Sequence, residues 1–352
     1  MIEKFLTTSD ENEWRRALPA SRSVFGSIEF AHICERYRGY SPRLYVSESA
    51  TASVCHPMLL RPVADLPFAT DIVDRWDSTT PDYTGPVLQG HDDFLASEFR
   101  RCYTSFTREN GIVAEFAHVH PWSQAKDLLG EDCVYNRNVV WVDVSLEPET
   151  LFRDHFEHSA RKNINKAQRD GVQVYTDTTD EAIEEFHRIY ISTMQRNQAL
   201  DRYHFTAEYF AGIRNEMPDN ARFVFAEYRG AIIAATLYLY DDADVHSYLG
   251  GADAEFNAVR PTNLIVWNTI CWAHQTGKKH LVLGGGYRPN DGIYRFKATF
   301  SPLRQPFYVY KQIYRCEDFA LLEQRRREYT GIGSQHVDYF PSYRAVRTVH
   351  TS

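Results

Sequence analysis

Between residues 221 and 251 three apolar, β-rich runs follow one another: ARFVFAEY, AIIAATLYLY and DVHSYLGG, split by turns at Arg229-Gly230 and Asp241-Asp242. Gaps that short hold a turn and nothing more, so the three runs must lie side by side as antiparallel strands. Helical periodicity precedes them over 180–199 and 206–217. A helix from Pro261 to Gln275 follows, then the strand KHLVLGGG, a short helical piece over 291–300, a strand over 306–314 and a final helix over 317–328. Helix pair, antiparallel strands, helix, strand, helix, strand defines an α/β unit.

The first half repeats this grammar. A helix is expected over 25–37, where Phe25, Ile28, Phe30, Ile33, Cys34 and Tyr37 keep the period. RLYVSE (43–48) and SVCHPMLLRPV (53–63) read as strands, whereas 70–90, rich in Pro, Gly and Asp, reads as loop. Helical spacing returns over 92–110, and strands are expected over 111–121 and 138–145. A helix opens at 145–149 and runs to about Asp170, ahead of the strand GVQVY. At 352 residues two domains are expected. The joint falls near residue 145, giving domains over 1–145 and 146–330 and a C-terminal tail over 331–352.

Charge and cysteine usage narrow the functional classes. The net charge of −8 argues against a protein that coats duplex DNA. Acids crowd 65–98 and bases crowd 277–330, so a polyanion can still be held locally. Six cysteines without a CxxC pair exclude a zinc ribbon and a disulfide scaffold and fit reduced thiols. No run of 18 apolar residues is present and the first residues are polar, so a cytoplasmic protein without a membrane span is expected.

Several residues carry candidate chemistry. In SARKNINKAQRDG, Phe156, Ala160, Ile164 and Ala167 share one arc, while Arg161, Lys162, Lys166 and Arg169 share the opposite one. That ridge is either a solvated face or a contact for phosphates. His118 and His120 alternate on a strand, but no third ligand stands at a recognisable spacing, so no metal is expected. No G-x-S-x-G or Cys–His signature supports covalent catalysis. The Gly284–Gly286 run lacks the spacing of a dinucleotide site, and its expected role is to admit backbone or ligand beside Lys297. The turn before Pro261 lacks the glycines that would cradle a CoA pyrophosphate. No cofactor is therefore expected. Asp291 suits a helix N-cap, and Tyr294 shares a face with Lys297. Tyr248 either donates to an oxyanion or packs in its sheet. The aromatic residues over 190–210, Tyr203 among them, either fill the core or line a ligand site.

The segment R-K-N-I-x-K-A-x-x-x-G-V (161–172) is similar to one in the FemAB/FemX family. HSYLGG, the proline-led helix, KHLVLGGG and D-G-I-Y-R-F-K-A-T-F (291–300) resemble that family's C-terminal block, and VFGSIEF, PMLLRPV, DYTGPV and FAHVHP resemble its front half. The resemblance covers roughly residues 20–315. It implies two tandem domains of the GNAT acyltransferase fold, without the charged coiled-coil arm of some members. It implies an aminoacyltransferase that joins an amino acid from charged tRNA to the amine of a small peptide. The acceptor is then a peptidoglycan precursor (a muropeptide) or an antibiotic scaffold, as in the alanyl-tRNA-dependent transferase of pacidamycin synthesis. In this reading the first domain forms the acceptor side of a cleft and the second the donor and catalytic side. Lys297 and Tyr248 are catalytic. Arg161, Lys162, Lys166 and Arg295 meet tRNA phosphates at the acceptor end, and Arg36, His120, Tyr203 and Asp291 hold the acceptor. Arg36 and His118/His120 stand where FemX-type enzymes place a lysine and an acid, which favours an acceptor other than the UDP-muropeptide. The alternative is an acyl-CoA-dependent N-acyltransferase.

Overall fold

A computed structural model describes residues 2–286, 288, 290–331 and 339–345. The remainder of the expected C-terminal tail lies outside the described residues. The chain divides into two compact units: Met1–Pro19, Phe25–Asn136 and Phe307–Ser352 form one, and Ala20–Val24 with Arg137–Pro306 form the other. Sequence order alone put the joint near 145. In the structure it falls at 136/137, and the segment after Pro306 returns to the first unit.

The first unit begins with β1 (Ile2–Leu6), α1 (Glu11–Ala17), α2 (Ile28–Arg38), β2 (Ser41–Glu48) and β3 (Ala52–Pro62). It continues with β4 (Trp76–Thr79), β5 (Val87–Gly90), α3 (Asp93–Glu109), β6 (Ile112–Val119) and α4 (Ala125–Leu129). Ser27 caps α2 by accepting from the Phe30 N–H, and Gly39, at φ 67°, ends it in the left-handed conformation that costs glycine nothing. The stretch expected as loop over 70–90 holds two strands. β4 pairs one half of β3 and β5 the other, while β4 also runs parallel to β6. W-D-S-T looks unlike a strand because its Asp77 is polar. The structure buries that carboxylate completely between the guanidiniums of Arg61 and Arg344. Neither β1, which pairs with β2, nor α1 was expected.

The second unit runs β7 (Cys133–Asp143), α5 (Pro148–Thr150), α6 (His158–Asp170), β8 (Gln173–Thr176), α7 (Asp180–Arg196) and α8 (Ala207–Glu216). Then follow β9 (Ala221–Tyr228), β10 (Ala231–Tyr240), β11 (Asp244–Ala252), α9 (Pro261–Gln275), β12 (His280–Gly284) and α10 (Gly292–Ala298). Its strands lie in the order β7-β12-β11-β10-β9-β8, with β11 and β12 parallel. The single helix expected over 145–170 is broken at Phe156, which is extended. The Phe156 ring packs against those of Trp267 and Phe300, and the Glu157 N–H donates to the Thr299 carbonyl at 2.8 Å. Burying one large aromatic there outweighs a turn of helix. Ala160, Ile164 and Ala167 of α6 are buried in the main core beside α9, on the arc that their spacing defines.

After Arg304–Ile313 (β13) and Cys316–Thr330 (α11) the chain is back in the first unit. β13 pairs antiparallel with β6, and Leu322 and Tyr343 pack on Val63, Leu66 and Val113. The run Arg325–Arg327 serves this packing. Arg325 pairs with Asp71, Arg326 is buried, and Arg327 donates to the Glu323 carbonyl.

Candidate active site

In the second unit two neighbouring strands part. β11 pairs with β12 only from Asp244 to His246, opposite His280 to Val282, although β11 runs on to Ala252. The far half of β11 is thus unmatched by β12, an opening of the kind in which sheet edges take an extended ligand, and it closes at Ala252, whose N–H and C=O are held by Thr193 and Arg196 of α7. On the other side of β11 the register slips. Leu237 faces Leu249 and Tyr238 faces Ser247, so Tyr248 is the extra residue of a bulge. Bulges re-aim a side chain, and this one carries the hydroxyl of Tyr248 to 2.6 Å from that of buried Tyr209. Gly250 and Gly251 have a packing role. A Cβ on Gly250 would stand 2.7 Å from the Ala235 carbonyl, and one on Gly251 would stand 2.4 Å from Thr193 Oγ1 on α7.

At the end of β12 the chain turns through Gly284, Gly285 and Gly286 into α10. Asp291 is the N-cap, as its position predicts: its carboxylate accepts from the Tyr294 N–H at 2.8 Å and the Arg288 N–H at 2.9 Å. A Cβ on Gly286 would lie 2.3 Å from Asp291 Oδ1, and one on Gly285 would lie 2.9 Å from Arg137 Cδ. The glycine run therefore lets the cap and Arg137 close in, with Arg137 Nη1 donating to the Gly286 carbonyl at 2.6 Å. Lys297, on α10, donates from Nζ to the Gly285 carbonyl at 2.9 Å. Burial pushes its ammonium down to about 8, against the opposing pull of the Asp291 carboxylate. The arrangement is a partly desolvated cation, fixed by a backbone carbonyl at the mouth of a strand gap. It can stabilise an oxyanion or hold a phosphate.

The other expected site residues are spread more widely. Arg295 is exposed and donates to the Asn290 carbonyl at 2.8 Å. On α6, Arg161 is engaged by the Arg153 and Phe156 carbonyls and Lys166 by Asp170, while Lys162 and Arg169 are exposed. Tyr203 is exposed in a turn before α8, its carbonyl accepting from the Tyr190 hydroxyl. Its aromatic neighbours Tyr190, Tyr209 and Phe210 are core. Arg36 and His120 belong to the first unit: Arg36 is exposed on α2, and His120 follows β6, its backbone N–H donating to the Thr84 carbonyl at 2.6 Å. Sequence reasoning missed the roles of Arg137 and Arg304, and offered Tyr209 only among the aromatics that fill the core or line a ligand site. Arg304 donates to the Tyr294 hydroxyl at 3.0 Å and so braces the helix that carries Lys297. None of the three has a local signal, because each partner lies on a different element.

These features define a mixed α/β protein of the GNAT acyltransferase fold with, among the described residues, no coiled-coil arm, and comparison with known proteins places that fold. Residues 154–298 match the family model described as an acetyltransferase (GNAT) domain. The chain has the fold of FemX: it superposes on that structure with a TM-score of 0.68 at 12% identity, over 92% of this chain and 100% of FemX. It is also similar to the C-terminal domain of a candidate lysylphosphatidylglycerol synthetase from Agrobacterium fabrum. There the TM-score is 0.58 at 12% identity, over 91% of this chain and 98% of that one. A protein of unknown function from Bacteroides thetaiotaomicron gives 0.58 at 11% identity, over 89% and 100%. No curated protein sequence matches the chain. Among the described residues no helix is long and apolar enough to cross a membrane.

Proposed function

We propose that this protein is an aminoacyltransferase that takes an amino acid from charged tRNA and forms an amide on the amine of a small peptide. The observation that carries the reading is the desolvated Lys297 ammonium, fixed on the Gly285 carbonyl beside the gap between β11 and β12. The FemX fold over nearly the whole chain supports it. In the reaction the acceptor's neutral amine forms a C–N bond to the ester carbonyl. The C–O bond to the ribose breaks, and the ribose oxygen takes up the proton that the nitrogen gives up. Lys297 would bear the negative charge that builds on the carbonyl oxygen, and the Tyr248 hydroxyl would donate to the same oxygen. An ester is already activated, so positioning and these two donors suffice. Lys162 and the other basic residues of α6, with Arg295, would meet the acceptor-end phosphates. Arg36, His120, Tyr203 and Asp291 are the proposed acceptor contacts, and an antibiotic scaffold or a peptidoglycan precursor is the proposed acceptor class. A tRNA donor implies a cytoplasmic reaction.

A second reading, an acyl-CoA-dependent N-acyltransferase, is favoured by the acetyltransferase family match over 154–298. Donor dependence separates the two. The protein is incubated with labelled aminoacyl-tRNAs and with acyl-CoA, together with peptide and muropeptide acceptors, with and without RNase. RNase-sensitive transfer is the expected result. RNase-insensitive transfer that requires acyl-CoA would replace the first reading with the second.

A further inference from the structure

A cavity of about 270 Å³ opens in the second unit between the end of α6, β8 and α9. Val172, Val174 and Leu264 give it apolar walls, Trp267 a half-buried aromatic one, and Gln168 and Asn268 bring two amides to it. It is roomier than the ~150 Å³ cavity that admits a benzene ring. The Trp267 indole is held by Phe152 and Phe156, with ring centroids 5.2 and 5.8 Å away, so its orientation is set before any ligand arrives. A primary amide carries both donors and an acceptor, the complement of a nucleobase edge. Burial pushes the thiol of Cys271, at the same cavity, up to about 11, so it lines the space as a neutral group.

From these observations we infer that the Trp267 cavity receives one unpaired base of a single-stranded RNA end, stacked on the indole and read by Gln168 and Asn268. The inference rests on the proposed tRNA reading and adds a base-specific contact to it. Charge and distance both fit. Gln168 lies on the same helix as exposed Lys162 and Arg169, which stand about 100–120° around the helix from it, so a backbone that crosses α6 meets cations before it reaches the cavity. Lys166, paired with Asp170, is largely neutralised there. The start of α6 is joined to the end of α10, which bears Lys297, through Glu157 and Thr299. From His158 to Gln168 is about 15 Å at ~1.5 Å per residue. The base held in the cavity is therefore an internal one, a few nucleotides back from the reacting end. Stacking on a fixed aromatic is the usual way in which proteins hold unpaired bases.

The test alters the ligand before it alters the protein. Binding of the single-stranded RNA ACCA is measured by fluorescence anisotropy, alongside analogues in which each base in turn is replaced by an abasic ribose. Removing one internal base should weaken binding about 5- to 150-fold, the range for loss of one stacked base. Trp267→Ala should abolish the difference between that analogue and the intact oligonucleotide. Gln168→Ala, at an exposed position, and Trp267→Phe, which keeps an aromatic in the cluster, guard against a mere loss of fold. A flat abasic scan, an unchanged affinity in Trp267→Ala, or wild-type protein that binds no oligonucleotide would overturn the inference. RNase-sensitive transfer is assayed on the same preparations. If it persists with an unchanged KM for charged tRNA in Trp267→Ala, the cavity is excluded while the tRNA reading stands. If the wild type shows none, the tRNA reading itself fails.

Discussion

The phenolic oxygens of Tyr209 and Tyr248 lie 2.6 Å apart, joining a fully packed residue of α8 to the one residue that β11 ejects from its pairing. Tyr209 thereby fixes the direction of a hydroxyl beside the strand gap. Tyr248→Phe should lower kcat by roughly 100-fold or more, the usual cost of an oxyanion donor. Tyr209→Phe leaves the Tyr248 hydroxyl in place but unheld, and should give a smaller loss in kcat with the donor KM unchanged. Steady-state kinetics of the two variants checks the order. Equal losses would make Tyr209 more than a positioning residue.

Lys297→Ala should reduce turnover by about 100- to 1000-fold. The pH profile gives an independent check. In the proposed role the working form is the ammonium, whose proton is lost at about pH 8 rather than near 10.5, so kcat should fall as pH rises through about 8. Stability should move the other way. Between about 8 and 10.5 the unfolded chain keeps a proton that the folded chain has released, so the Lys297 contribution to stability rises with pH across that window. Lys297→Met should abolish both trends, as followed by rate assays and by urea melts at several pH values.

Gly286→Ala would bring a methyl to 2.3 Å from Asp291 Oδ1 and force the cap away from α10. The expected loss in stability is about 1 kcal/mol, the typical worth of an N-cap. The loss in turnover should be disproportionate, because the same turn carries the carbonyl that holds Lys297. Urea denaturation and kinetics on one preparation would expose the mismatch.

In the first unit, Glu115 is fully buried and accepts from Tyr103 at 2.7 Å and Tyr314 at 2.6 Å, with His56 Nε2 at 2.7 Å from its other oxygen. Burial alone would raise its carboxyl. The charge of His56 and the three hydrogen bonds overcome that, and hold it below the ordinary glutamate range. The stability this contributes is present at neutral pH and is lost as pH falls through the depressed value. Glu115→Ala, which strands a buried partner, should cost about 3–5 kcal/mol and flatten the acid limb of the stability curve. Chemical denaturation between pH 3 and 7 would show both.

The sequence was most legible where local rules suffice. The bounds of α9, Pro261–Gln275, follow from a proline at the first helical position and an unbroken period. The three strands from Ala221 to Ala252 follow from gaps too short for anything but turns. Asp291 was readable as a cap because capping is a three-residue affair. Where partners are distant, reading failed. Asp77 looks like a loop acid until Arg61 and Arg344 close on it, and no window around W-D-S-T contains either arginine. Arg137 meets Gly286 across the sheet from β7, and Tyr209 meets Tyr248 from a helix. The basic ridge of α6 is legible as a face, but its spacing gives no sign that Arg161 is held by the Phe156 carbonyl and Lys166 by Asp170.

The first unit has a consequence for how the chain is made. β6 waits for β13 to satisfy one of its edges, and Asp77 waits for Arg344, yet both partners are synthesised after the whole of the segment Arg137–Pro306. At about 5–20 residues per second that segment alone takes on the order of ten seconds to emerge. The nascent N-terminal third therefore spends that interval with an open strand edge and a carboxylate short of one of its two arginines. The second unit, contiguous but for the short piece at Ala20–Val24, can close first.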